Sequence, residues 1–202
     1  MRCLFARGKL NQRELSSPAS RGSFLVPVSN ASDYFEPGDL VFVSDADGGR
    51  TGFLGPAASV SSTEIQCLLA LSCSRDPGAL VWKPLESLLF PKKRKHPRER
   101  CHDTGVSVRR SIGGSLHLTR IREPVRTETL RFEGLRKREV EELLDWMEEV
   151  LGGGIERFTF CDESCRVSVS AILSSEILHD EKSPDGVGIE MEIERLEKER
   201  YE

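Results

Sequence analysis

The spacing of apolar and polar residues divides the chain into stretches of different character. Residues 1–21 show little periodicity and end in Ser, Pro and Ala, which is typical of an arm and not of a core element. In residues 22–89, short apolar runs separated by turn-forming residues, as in "DLVFVSDADGG" and "GALVWKPL", predict several short strands, and "DADGG" predicts a hairpin. Their regular spacing indicates a small β-barrel or sandwich. The pattern leaves open whether this unit is a domain of its own or an insertion.

A second strand-rich block is predicted over residues 104–202. Its segments "GVSVRR" and "SLHLTRI" alternate in polarity and are joined by "SIGG", which favours a hairpin. The segments "ETLRFEGL", "RFTFCD", "RVSVSAIL" and "VGIEMEIERLE" alternate in the same way. With one helix among these strands, we expect an α+β class that is mostly β, in which the helix packs on an antiparallel sheet.

One segment of the second block has the period of a helix. Its apolar positions recur at intervals of three and four residues and form one stripe: Val140, Leu143, Leu144, Met147, Val150 and Leu151. This pattern predicts an amphipathic helix over residues 140–151. Three glycines follow at 152–154, and glycine readily adopts the left-handed conformation that ends a helix.

The face opposite this stripe is acidic. It carries five carboxylates: Glu141, Glu142, Asp145, Glu148 and Glu149. Carboxylates that repel one another, near the negative end of the helix dipole, disfavour the isolated helix. Two interpretations stay open, a face in contact with water or a face that meets a basic surface of a neighbouring subunit. Trp146 lies at the edge of the stripe, where an aromatic residue is typical of either a core or an interface.

Charge is unevenly distributed along the chain. The 202 residues carry 29 Lys and Arg against 33 Asp and Glu, a net charge of -4, which argues against general affinity for polyanions. A basic linker over residues 90–103 is the exception, since it contains Lys92, Lys93, Arg94 and Lys95 in succession. We expect a strap that docks on an acidic surface of its own or of a neighbouring subunit. The alternative is a nucleic-acid-binding regulator that contacts phosphate through residues 92–100.

Catalytic and metal chemistry have little support in the sequence. Cys161 and Cys165 are separated by three residues, but no second Cys or His pair follows at a fixed distance. Cys101 and His102 would have to complete a metal site in space. No glycine-rich loop precedes a helix, and no apolar run is long enough for a membrane span. We therefore predict no enzyme, no cofactor and no membrane, with a metal at the two cysteines as an open alternative.

A resemblance to a known family appears between residues 103 and 195. A strand ending in "LRF", a helix with "LLDW", a glycine break, then "FTFCD" and a valine-rich strand resemble the distal tail protein group of long-tailed bacteriophages. The preceding "DTGVSVRRSIGGSLHLTRI" extends the resemblance. The earlier "EPGDLVFVSDADG" and "GALVWKP" resemble small β-barrels that precede or are inserted into such domains.

This resemblance implies a structural role. It implies a tail-tube-like fold of two packed antiparallel sheets with one flanking helix. It also implies that copies assemble side by side into a ring, which we expect to contain six subunits. The ring would join the tail tube to the baseplate hub or tip of the virion, with DNA only passing through it. The resemblance implies no catalytic residues. It leaves open whether the chain is a tip adaptor, a tube initiator or another minor tail component.

Overall fold

The computed structural model describes residues 3–46, 51–91, 99–103, 106–110, 116–120, 125–153, 156–161, 168–173, 178–180 and 186–195. The strands of these residues are β1 Cys3–Arg7, β2 Leu10–Glu14, β3 Leu25–Pro27, β4 Leu40–Ser44, β5 Thr51–Val60, β6 Glu64–Cys67, β7 Leu80–Lys83, β8 Glu86–Phe90, β9 Glu99–Asp103, β10 Val106–Arg110, β11 Leu116–Arg120, β12 Val125–Leu135, β13 Phe158–Cys161, β14 Ser168–Leu173, β15 Leu178–Asp180 and β16 Val187–Arg195. The α-helix α1 spans Lys137–Asp145, and a π-helical turn, Trp146–Val150, continues it. A short 3-10 turn spans Ala31–Asp33.

The predicted fold class is confirmed. The described residues form a mostly β structure of antiparallel strands with a single α-helix, and their strands form no closed barrel. A sandwich-like arrangement therefore fits better than the barrel alternative. Most strands belong to one large sheet, whose order runs β2, β7, β4, β5, β14, β13, β1, β8. Strands β12 and β16 extend it, because β16 pairs with β14 and with β12.

Two predicted hairpins are confirmed by the register of their strands. Strands β4 and β5 flank "DADGG", and Ser44 lies opposite Thr51. Strands β10 and β11 flank "SIGG", and Arg110 lies opposite Leu116. The turn chemistry of glycine-containing loops was therefore sufficient to predict both pairings.

The helix prediction is also confirmed. At its start, the carboxylate of Glu139 accepts a hydrogen bond of 2.8 Å from the Arg136 N–H, which satisfies a backbone donor that the helix leaves unpaired. At its end, Gly152 and Gly153 have φ values of 56° and 75°, in the left-handed region that favours glycine. The apolar stripe packs against the sheet of β12 and β16. Gly154 lies outside the described residues.

The N-terminal arm predicted for residues 1–21 contains a strand of the core, so this prediction is wrong for β1. Strand β1 lies between β13 and β8 and pairs with both. Its first four residues are buried because side chains of a strand alternate between two faces, and both faces of β1 are covered. A strand buried on both faces reads as a continuous apolar run, here "CLFA", instead of an alternating pattern.

The linker predicted for residues 90–103 is wrong at both ends. Phe90 is the buried last residue of β8, and residues 99–103 form β9, which pairs with β12. Polar residues such as those in "ERCHD" adopt strand structure here because β12 offers an edge with free backbone groups to pair with. The strap predicted from Lys92, Lys93, Arg94 and Lys95 concerns residues outside the described part of the chain.

Among the described residues, buried side chains form three clusters. The first core is drawn from residues 15–81 and is mainly aliphatic, as in Val43, Leu54 and Ile65. The second core contains the helix stripe, the inner faces of β12 and β16, and a group of aromatic rings: Phe5, Phe90, Phe132, Trp146, Phe158 and Phe160. The bridging cluster lies between them and consists of Leu4, Ala6, Phe42, Phe53, Trp82 and Cys161. Strand β1 therefore contributes to both the second core and the bridging cluster.

Candidate functional site: assembly surfaces

The acidic face predicted for the helix lies on the surface. All five of its carboxylates belong to exposed residues: Glu141, Glu142, Asp145, Glu148 and Glu149. The opposite side is buried in the second core. The helical period that buries the stripe thus directs these carboxylates to solvent. Their exposure is confirmed, whereas contact with a neighbouring subunit stays a prediction.

The two ends of this face differ in charge compensation. Near the start, two ion pairs join residues four positions apart. Lys137 Nζ lies 3.9 Å from Glu141 Oε1, and Arg138 Nε lies 3.1 Å from Glu142 Oε1. Three carboxylates near the end have no ion pair with any described residue: Asp145, Glu148 and Glu149. Because the helix dipole is also negative there, this end is an uncompensated negative surface that attracts cationic groups.

Of the two positions considered for Trp146, core or interface, the structure shows a residue of its own chain's core. Its side chain is 8% exposed, and its ring lies 5.8 Å from that of Phe5 and 6.3 Å from that of Phe158. The π-helical turn begins at Trp146. Burial among aromatic rings explains this large apolar residue without a partner molecule.

The basic segment, residues 92–98, connects β8 to β9, and both strands border the second core. On one side, the Phe90 ring packs edge-on against the Phe132 ring of β12, with 4.8 Å between the centroids. On the other side, Glu99 of β9 lies opposite Thr129, also of β12. The chain between these two anchors carries the four consecutive basic residues. One end of the segment therefore contacts β12 through a ring and the other end pairs with β12, while residues 92–98 lie outside the described part.

Among the described residues, Leu10 and two groups of other large apolar residues are exposed, which the sequence did not predict. Leu85 immediately precedes β8 and is 53% exposed, and Leu89 lies in β8 and is 49% exposed. Strand β8 is the last strand of the main sheet path. The second group consists of Phe24, Leu25 and Leu68. Its two chain segments are held together by a 2.8 Å hydrogen bond from the Cys67 N–H to the Phe24 carbonyl. Groups of exposed apolar side chains are typical of protein contacts. The signal in the sequence was weak, since Leu88 and Phe90 of the same run are at least partly buried.

The cysteine and histidine residues considered as metal ligands from the sequence lie on different strands or outside the described residues. Cys161 is buried in β13, and Cys165 lies outside the described residues. Cys101 and His102 are in β9, and β14, β16 and β12 lie between the two strands. Cys161 and the pair Cys101 and His102 are thus four strand spacings apart along the sheet, about 19 Å. Within the described ranges, no group of three His, Cys, Asp or Glu residues could hold a metal.

Titratable groups of the first half have shifted pKa values with structural causes. Burial raises the pKa of the Cys67 thiol to about 12, so this thiol stays protonated at neutral pH. Burial lowers the pKa of Lys9, whose ammonium lies 5.2 Å from the centre of the Trp82 ring. A hydrogen bond to Glu156 is the main cause that raises the pKa of Arg7. Of these three groups, only Cys67 has its reactivity changed at neutral pH, because its thiol stays protonated.

Neither helical segment in the described part of the chain has the length and apolar content that crossing a membrane requires. The described part of the chain has three candidate contact surfaces: the carboxylates of Asp145, Glu148 and Glu149, the exposed Leu85 and Leu89, and the apolar group around Phe24. No protein-family model matches the chain, and no curated protein matches it.

Proposed function

We propose that the chain is a structural subunit of a bacteriophage tail. Copies of it form a ring, of six subunits by the resemblance, at the end of the tail tube. The ring connects the tube to the baseplate hub or tip of the virion, and DNA passes through it without being held. The subunit acts by binding its neighbours and performs no reaction.

The observation that carries this proposal is the arrangement of the second half of the chain. Strand β12 leads into α1, and β13, β14 and β16 follow as antiparallel strands under the helix stripe. This is the order of elements on which the resemblance to distal tail proteins rests. The resemblance implies antiparallel sheets with one helix, and the described residues have an antiparallel sheet and one α-helix, which supports the proposal at the level of the fold.

The surface gives independent support to an assembling subunit. Ring subunits need surfaces that differ from one another, because a head-to-tail contact joins two unlike patches. The chain has an acidic helix end, a basic segment of opposite charge and two groups of exposed apolar side chains. An acidic surface towards a channel would also avoid retaining the phosphates of passing DNA.

Electron microscopy of the purified protein tests the proposal directly. We expect closed rings of uniform diameter, and mass measurement in solution should give a single oligomer whose population grows with protein concentration. A protein that stays monomeric at high concentration, and that copurifies with no tail protein when produced together with its neighbouring genes, would refute the proposal.

Charge reversal at the helix end tests which surface assembles. The double substitution E148K and E149K should raise the concentration needed for half assembly about tenfold or more, because an attractive contact becomes repulsive. The matched control E36K and E64K makes the same charge change at exposed positions of the first half and should leave assembly unchanged. Basic residues favour a helix C-terminus, so unfolding would not explain a loss of assembly.

Neutralising the basic segment separates the proposal from DNA recognition. We expect glutamine at Lys92, Lys93, Arg94 and Lys95 to weaken ring formation and to leave any DNA retention low at all salt concentrations. The opposite result would be tight, salt-sensitive DNA binding that the substitutions abolish while rings persist. That outcome would favour a nucleic-acid-binding regulator, since counterion release makes phosphate contacts depend on salt.

A further inference from the structure

We draw no further inference here: the strongest candidate, the exposed leucines Leu85 and Leu89 along strand β8 at the end of the sheet, carries none because nothing in the described part of the chain shows what covers them.

Discussion

The first and second cores differ in how far apart in the sequence their residues are. The first core is built from residues 15–81 alone and is mainly aliphatic. The second core combines Cys3 and Phe5 from the start of the chain with Phe90 and with residues 130–193. The first core therefore closes over short sequence distances, whereas the second closes only when both ends of the chain meet. Because long loops cost more entropy to close, the second core depends more on each long-range contact.

Strand β1 makes this difference possible. Alternation along the strand directs Phe5 to the second core, whereas Leu4 and Ala6 face the bridging cluster beside Trp82. Strand β1 thus has one face towards each half of the chain, and the pairing of β5 with β14 also joins the halves. Loss of its aromatic residue should affect the second core first.

The largest expected effect comes from F5A. The Phe5 ring lies 5.2 to 6.3 Å from four other rings, those of Phe90, Trp146, Phe158 and Phe160. Its removal leaves a cavity, so we expect the free energy of unfolding to fall by about 4 kcal/mol, measured by urea titration. The native fluorescence of Trp146, recorded in a W82F background, should change as well.

A matched substitution in the first core, F35A, removes a ring of similar burial. It should lower stability comparably but leave the native Trp146 emission unchanged. If F35A altered that emission as much as F5A, the two cores would not be distinct units. If F5A fails to fold, F5L keeps most of the volume and should cost about 1.5 kcal/mol.

The next effect concerns an ion pair of the first half in which the arginine is buried and the aspartate side chain is 38% exposed. The side chain of Arg75 is 3% exposed and donates a hydrogen bond to the Asp45 carboxylate. We expect D45A to lower the free energy of unfolding by about 3 kcal/mol, because it leaves a buried guanidinium without its counter-ion. The double variant D45A and R75M should recover most of the loss in the same denaturation assay. A double variant no more stable than D45A would contradict this explanation.

A smaller effect is expected from G186A in the second half. Gly186 has a φ of +115°, and a Cβ at this position would lie 2.9 Å from the Leu135 carbonyl oxygen. Backbone strain and the clash together should cost about 2 kcal/mol in thermal or urea unfolding. Gly38 in the first half also has a positive φ, of +97°, but open space around it. G38A should therefore cost about 1 kcal/mol, and equal losses would show that the close approach to β12 is unimportant.

The smallest effect is expected on the helix surface. Arg138 and Glu142 form an ion pair in which both side chains are exposed, whereas Arg75 of the pair in the first half is buried. A double-mutant cycle with alanine at both positions should give a coupling free energy of about 0.4 kcal/mol. This coupling should decline in high salt, because salt screens exposed charges. A coupling above about 1.5 kcal/mol would mean that the pair is not simply exposed.

Elements with a clear local pattern could be predicted from the sequence. The helix stripe, the strand β16 with Ile189, Met191 and Ile193 buried on one face, and the two glycine-containing hairpins have the expected periods and turn residues. Strands β1 and β9 could not be predicted in this way. The first is buried on both faces and does not alternate, and the second is polar and depends on pairing with β12.

The candidate surfaces show the same division. Exposure of the helix carboxylates followed from the helical period, which assigns each residue to a side. The position of Trp146 did not, because a residue at the edge of a stripe is buried only if another element covers it, and here that cover includes Phe5 from the start of the chain. No local pattern relates two residues so far apart.

By itself, the sequence determined the mostly β class, the one amphipathic helix and the acidic face of that helix, because periodicity and turn chemistry act over a few residues. Only the tertiary structure decided that the first residues complete the second core, that part of the predicted linker is a strand, and that Trp146 belongs to the core. These features depend on contacts between residues distant in sequence. Such contacts follow from packing and strand pairing, which no short window of residues specifies.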